Sequence, residues 1–335
     1  MQEYRHSGAF RSKKDLHRYQ ISLFAIIVLS ILFALGLLLY KNPVPITSAS
    51  FIPVVNRRIS ALIAMGLAAL CQSTATITFQ SITNNRIITP SLLGFDALYA
   101  AINTGIVFFF GANTLIKLDG LATFFIQVLL MILLSVLLYG TLLKDSYKDM
   151  QLVLLIGIII GAGLRSISSF MRRILAPSEF DILQAKLFGS VNNADSSYYV
   201  VAVPLVLICV ILLMCAANKL DTVSLGKDVS TVLGLKHKRE VIYSLILVSI
   251  LMAVSTALVG SLTFYGFLIA TLTYELVPSF KHIYYYPFAL VLGFLVITFS
   301  YFIMYHVFSA QGVVSIIIEL FGGITFLSII LRRSA

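Results

Sequence analysis

The sequence predicts an all-α polytopic membrane protein of about ten transmembrane helices, with the N- and C-termini cytoplasmic. Three observations carry that expectation. The 335-residue chain is 59% hydrophobic and only 11% charged, whereas a soluble domain has about a quarter of its residues charged. Its mean hydropathy is +0.98. Apolar runs of spanning length alternate with short polar punctuation, and Lys and Arg gather on one side of them. Tryptophan is absent, but 16 tyrosines and 24 phenylalanines can serve as interfacial aromatics. The formal charge of +10 invites a nucleic-acid reading. The basic residues lie between apolar runs, however, which is the pattern of cytoplasmic loops rather than of a nucleic-acid face. Cys71, Cys209 and Cys215 all fall inside apolar runs. They suggest neither a disulfide framework nor a metal cluster, and are expected to be small buried hydrophobes.

Residues 1–20, MQEYRHSGAFRSKKDLHRYQ, read as a basic cytoplasmic tail, best explained as a positive-inside anchor. The run 21–40 is long enough to span a bilayer and lacks a following small-residue cleavage signal, so it is an uncleaved first helix. Further spans are expected at 57–79, 92–111, 120–143, 150–170, 197–216, 240–259, 262–277, 284–307 and 312–331. Between the fifth and sixth, SEFDILQAKLFGSV reads as a short amphipathic helix. With the N-terminus inside, sixteen Lys and Arg fall on inner segments and seven on outer ones, which supports the arrangement. Residues 21–335 form a single transmembrane domain, because no extramembrane segment is long enough to fold alone.

There is no G-x-x-x-x-G-K-[ST] run, so any ATP used must be hydrolysed by another chain, and no cofactor is expected on this one. No paired-carboxylate, Ser/His/Asp or Cys/His constellation has convincing placement, so the chain is not read as an enzyme. His306 has no second His or Cys at ligand spacing, and no metal site is assigned.

The longest cytoplasmic connector, residues 218–240, is NKLDTVSLGKDVSTVLGLKHKRE. It carries more apolar side chain than a linker needs. Two short helices broken at Gly226 and Gly234 could present an apolar face to another protein. The same composition also fits helices lying in the membrane interface.

The run L-x-x-x-x-L-G-x-x-x-x-x-x-L-G-L, Leu220 to Leu235, resembles the coupling loop of the FecCD-type permeases. These are membrane subunits of ATP-binding-cassette importers for iron–siderophores, haem and cobalamin. The stretch Gln80-S-I-T-N-Asn85-R-I-I-T-Pro90-S-L-L-Gly94 resembles the family's Q-x-x-x-x-N-P-L-A-x-P-x-L-L-G. Gly260-S-L-T-Phe264-Y-Gly266-F-L-I is similar to its G-x-I-x-F-x-G-L-x-x-P, and GVVSIIIELFGGITFLSIILRR resembles its final helix, with Gly312, Gly322 and Gly323 in place. The similarity runs from about Arg57 onward. Arg86 stands for the family's first loop proline, Thr89 for its acidic residue, Ala270 and Thr271 for Pro-His, and Tyr301 and Tyr305 for D-x-x-x-R. With SFMRRILAPSEFDILQAKLFGSVNN, these features resemble the branch serving catecholate or mixed catecholate–citrate siderophores such as petrobactin.

The resemblance implies a type II importer permease in the bacterial cytoplasmic membrane. It also implies ATPase subunits, a second permease chain in a hetero- or homodimer, and an extracytoplasmic siderophore-binding lipoprotein. Haem or cobalamin, and ion-coupled secondary transport through Glu319 and Arg165, are the alternatives. Leu220, Leu225, Gly226, Leu233, Gly234 and Leu235 are the expected ATPase-coupling residues. Arg57, Arg58, Arg172 and Arg173, on the outer side, could dock the binding protein or attract an anionic chelate. Ordinary snorkelling or solvation would also explain them.

Arg165 lies within the fifth span, where a charge costs at least about 2–3 kcal/mol unless it snorkels or faces a polar cavity. Together with Ser166, Ser168 and Ser169 it is expected to line the translocation path. Asp221, Lys227 and Asp228 are expected to be solvated or peripheral. The polar run Gln72, Ser73, Thr74, Thr76, Thr78 and Gln80 suggests a wall facing water or substrate. Gln80, Asn84, Asn85, Pro90 and Gly94 then belong to an inner gate.

Overall fold

A computed structural model of the chain describes residues 8–40, 51–117, 120–145, 150–191, 194–308 and 313–334. Residues 1–7 of the expected tail, together with Lys41, Lys148 and Gly312, lie outside the described residues. Among the described residues fourteen α-helices follow one another. They are α1 (Lys13–Leu39), α2 (Phe51–Thr83), α3 (Phe95–Phe110), α4 (Ala112–Lys117), α5 (Leu121–Asp145), α6 (Met150–Ile174), α7 (Pro177–Leu187), α8 (Tyr199–Cys215), α9 (Ala217–Val223), α10 (Lys227–Val232), α11 (His237–Val259), α12 (Tyr265–Leu276), α13 (His282–His306) and α14 (Val314–Ser334). Each expected span meets a helix, and the expected amphipathic segment is α7. Among the described residues, six helices are long and apolar enough to cross a membrane.

The first helix begins earlier than hydropathy suggested. Ser12 caps it, its hydroxyl accepting the Asp15 N–H at 3.1 Å and donating to the Asp15 carboxylate at 2.9 Å. Much of the basic tail is therefore the first turns of α1. Just before the cap, Phe10 is buried, with its ring 5.6 Å from Tyr19 and 4.8 Å from Tyr284. The Ser279 hydroxyl donates to the Ala9 carbonyl at 2.7 Å, so the tail is pinned to the start of α13.

Two helices, α2 and α11, form the buried centre, packed on each other. Around them α13 packs on α1 and α2, α5 and α8 lie on α11, and α3 pairs with α6. Small residues allow the close approaches, as is usual for helices in lipid. A Cβ at Gly266 of α12 would meet Thr76 Oγ1, and one at Gly293 of α13 would lie 3.0 Å from the Tyr265 hydroxyl and 3.4 Å from Ala69 Cβ.

The polar run on α2 does not form a water-facing wall. Gln72, Ser73, Thr74, Thr76, Thr78 and Gln80 are all buried inside the chain. Ser73 and Thr74 donate to the carbonyls of Ala69 and Leu70, Gln72 to Ser255, and Thr78 pairs with Tyr286 at 2.8 Å. Hydroxyls that bond back onto the preceding turn are satisfied without water, so this stripe is a seam between helices. Cys215 also departs from expectation: it is exposed, whereas Cys71 and Cys209 are buried.

The other difference is length. At 1.5 Å per residue, α3 spans about 24 Å and α12 about 18 Å, short of a 30 Å hydrocarbon core. Before α3 the chain makes a 3-10 turn, and before α12 it is ordered but not helical. Before α12, Gly260 has φ +87°, and segment 259–262 runs beside 188–190, with the Ser190 N–H donating to the Val259 carbonyl at 2.7 Å.

Candidate functional site

The connector 84–94 begins with a capped helix end. Asn84 has φ +53°, its N–H reaches the Ser81 carbonyl and the Asn85 N–H reaches the Gln80 carbonyl at 3.1 Å. This is a Schellman closure with Asn in the left-handed position, which Asn tolerates better than other non-glycine residues. The Asn85 side chain accepts the Ile87 N–H at 2.9 Å, and the Gln80 amide donates to the Arg86 carbonyl at 2.7 Å. Gln80 and Asn85 therefore brace the connector from within. The Arg86 guanidinium lies over the Tyr274 ring of α12, 4.6 Å from its centroid. That cation–π contact gives the arginine, found where a proline was expected, a physical role.

Thr89, Pro90 and Ser91 are buried, and a 3-10 turn over Pro90–Leu93 ends at Gly94 with φ +103°. A Cβ on Gly94 would lie 3.0 Å from Gly161 Cα, and one on Gly161 would lie 3.0 Å from Gly94 Cα. Gly161 is eleven residues, about 16 Å, into α6, so the connector reaches roughly the middle of the bundle before α3 starts. There Asp96 opens α3, and Thr263, just before α12, donates to its carboxylate at 3.3 Å. Ser91, Ser261 and the charge of Arg165 also act on it. The positive N-terminal ends of α3 and α12 thus converge on a buried carboxylate, which their dipoles stabilise. An ionisable residue inside an apolar run was the available sequence signal for Asp96.

Arg165 is exposed on α6, together with Ser166 and Ser169. Ser168 is buried and donates to the Leu164 carbonyl at 2.8 Å.

The connector 218–240 folds into α9 and α10, as the glycines suggested. Gly226 has φ +95° and Gly234 +82°. The latter completes a second Schellman closure, with the Gly234 N–H on Thr231 and the Leu235 N–H on Ser230. Leu225, Val229, Val232 and Leu233 are 56%, 48%, 86% and 63% exposed, and form an apolar crest. Leu220 and Val223 are buried and Leu235 packs against the core, so these three hold the loop down. Lys219 pairs with Glu240 at 3.0 Å, tying α9 to α11.

Of the two expectations for Asp221, solvated or peripheral to the ATPase contact, the structure removes the first, since its side chain is only 15% exposed. It accepts from the His282 ring at 2.5 Å and from its backbone N–H at 2.9 Å.

At the opposite end of the bundle the arginines divide. Arg58 donates to the carbonyls of Leu37 and Leu38 at 3.0 and 2.9 Å, closing the C-terminal end of α1. Arg57 is exposed. Arg172 and Arg173 sit in the last turn of α6, where cations favour the helix dipole. Arg172 Nε donates to the Ser168 carbonyl at 3.3 Å. Among the described residues no group of three His, Cys, Asp or Glu could hold a metal ion.

A profile of the FecCD transport family matches residues 19–332. The petrobactin import system permease protein FatC of Bacillus anthracis is 58% identical over 99% of this chain and 94% of its own. The petrobactin import system permease protein YclO of Bacillus subtilis (strain 168) is 36% identical over 83% of this chain and 88% of its own. Among solved structures, a chain of the metal-chelate ABC transporter type in an inward-facing conformation superposes with a TM-score of 0.78. It is 20% identical and covers 93% of this chain and 99% of that one.

Proposed function

The chain belongs to the FecCD transport family, and from that premise we propose that it is the permease subunit of an ATP-binding-cassette importer for a ferric siderophore of the petrobactin class. The observation that carries the reading is the 58% identity to a petrobactin import permease along 99% of the chain. The protein crosses the bacterial cytoplasmic membrane about ten times, with both termini inside, as one permease domain. It binds no cofactor of its own and catalyses no covalent step. ATP is hydrolysed by separate ATPase subunits.

An outer lipoprotein delivers the iron chelate to a path shared with a second permease chain, either a different chain or another copy. Arg57 and Arg173, exposed at the outer helix ends, contribute docking charge, while Arg58 and Arg172 anchor the helix ends behind them. The exposed face of α6 bearing Arg165, Ser166 and Ser169 lines the path, where a cation favours an anionic chelate. The crest of Leu225, Val229, Val232 and Leu233 seats in the ATPase, because a contiguous exposed apolar patch in a basic surround suits a partner groove. The connector 84–94, wedged from α2 to mid-bundle, closes the inner end of the path.

The test is uptake of a panel of ferric chelates in a strain lacking the chain, with and without its restoration. Loss confined to petrobactin-type chelates, restored by the chain and abolished by inactivating the cognate ATPase, is the expected result. Uptake indifferent to the ATPase but abolished by an uncoupler would overturn it in favour of ion-coupled transport.

A further inference from the structure

A line of short hydrogen bonds joins the cytoplasmic loop at α9 to the inner end of α2. Asp221 on α9 receives two bonds on one carboxylate oxygen, from the His282 backbone N–H at 2.9 Å and from ring Nδ1 at 2.5 Å. A carboxylate oxygen can only accept, so Nδ1 carries a proton. On the far edge of the ring, Nε2 lies 2.6 Å from Ser81 Oγ on α2, whose single hydroxyl proton serves either Nε2 or the Ile77 carbonyl 2.8 Å away. The His282 side chain is 2% exposed and that of Asp221 15%. The imidazole is therefore a stiff spacer wedged between α9 and α2 at the first residue of α13. Tyr285 and Tyr286 flank it at 6.1 and 5.7 Å, and the Tyr286 hydroxyl pairs with Thr78 of α2.

A second contact lands on the same helix end. A Cβ on Gly226 would lie 3.4 Å from the Asn84 side-chain amide, so the turn after α9 rests on the residue that closes α2. A helix as short as α9 has no stability of its own. Its position is set by the buried Leu220 and Val223 and by these bonds. Charge-assisted hydrogen bonds in a buried setting are the strong, short kind, so displacement of α9 drags the end of α2 with it rather than slipping past.

We propose that Asp221, His282 and Ser81 are positioning residues that carry movement of the coupling loop to the inner end of α2 and thence to the connector 84–94. The inference rests on the permease reading and assigns this chain its internal transmission path.

The test uses the complete importer in proteoliposomes and reads chelate transported per ATP hydrolysed, with complex abundance and melting measured alongside. Asp221→Ala and Ser81→Ala each break one end of the line. His282→Asn keeps an amide donor near Asp221 but has no group that reaches Ser81. Each variant should assemble in normal amount and transport roughly fivefold or more less chelate per ATP, the low end of a typical coupling free energy. The Asp221→Ala/Ser81→Ala double variant should be no worse than either single one, since both cut the same line. Ratios equal to wild type in all three, losses that track loss of assembled complex, or additive losses in the double variant would overturn the proposal. A wild-type importer that moves no ferric siderophore on ATP would sink the permease reading and the line with it. Wild-type transport with unaltered variants removes the line alone.

Discussion

A single methyl added at Gly94 should damage the α3–α6 junction far more than the same methyl added at Gly161. The two glycines face each other, and either new Cβ would sit 3.0 Å from the other's Cα. Backbone cannot swing aside as a side-chain end can, so overpacking of this kind costs about 1–3 kcal/mol on either side. The backbones differ, however. Gly94 holds φ +103° and ψ +8° at the end of its 3-10 turn, where an L side chain adds about 1–2 kcal/mol. Gly161 lies within α6, where alanine is favoured over glycine by about 1 kcal/mol. Gly94→Ala should then lose about 2–5 kcal/mol and Gly161→Ala about 0–2. Melting of the detergent-solubilised complex, followed by fluorescence-detected size exclusion, reads the order directly, and chelate uptake should fall in the same order. If Gly161→Ala melts no higher than Gly94→Ala, or both melt with the wild type, the close backbone contact is not what holds the connector.

Burial and bonding set the outcome at five other positions. Val232→Asp, at a position 86% exposed, should leave the chain in the membrane but abolish co-purification with the ATPase. Leu220→Asp, 1% exposed, should lose the chain itself, because an unpaired buried charge is not tolerated; abundance on immunoblots separates the two. Arg58→Ala removes charged hydrogen bonds to the end of α1 and should lower stability by about 1.5–3 kcal/mol. Arg57→Ala should stay within about 0.5 kcal/mol and instead slow salt-sensitive capture of the loaded binding protein, read by surface association rates. Arg165→Leu should lower uptake at normal membrane abundance; unchanged uptake would take it off the path.

Much of this architecture is legible in the sequence. Long apolar runs must become helices in lipid because nothing else satisfies their backbone there, and each expected span meets one. Hydropathy starts α3 and α12 a few residues early, because the apolar chain just before them is a 3-10 turn ahead of α3 and, at the buried Leu262, irregular backbone ahead of α12. Burial in protein and burial in a helix look alike to a composition window. The two turns of the coupling loop were readable from Gly226 and Gly234, since positive φ singles out glycine. Which of its leucines faces outward was not, as Leu220 and Leu225 differ only in what the bundle offers them. Asp221 and His282 are 61 residues apart, and no local pattern announces their meeting. The sequence places Asn84 and Asn85 in the expected inner gate, yet their pairing with Ser81, Gln80 and Ile87 needed the fold.

The docking of Phe10 and Ala9 on the head of α13 bears on how the protein is made. The Ala9 carbonyl waits for the hydroxyl of Ser279, synthesised 270 residues later. At a translation rate of about 5–20 residues per second, that delay is roughly 15–50 s. Throughout it the first helix sits in the bilayer without the neighbour it packs against most extensively. Assembly therefore returns to where it began: α13 closes the bundle onto the chain's own opening segment, and a nascent chain halted before residue 279 leaves α1 without that anchor.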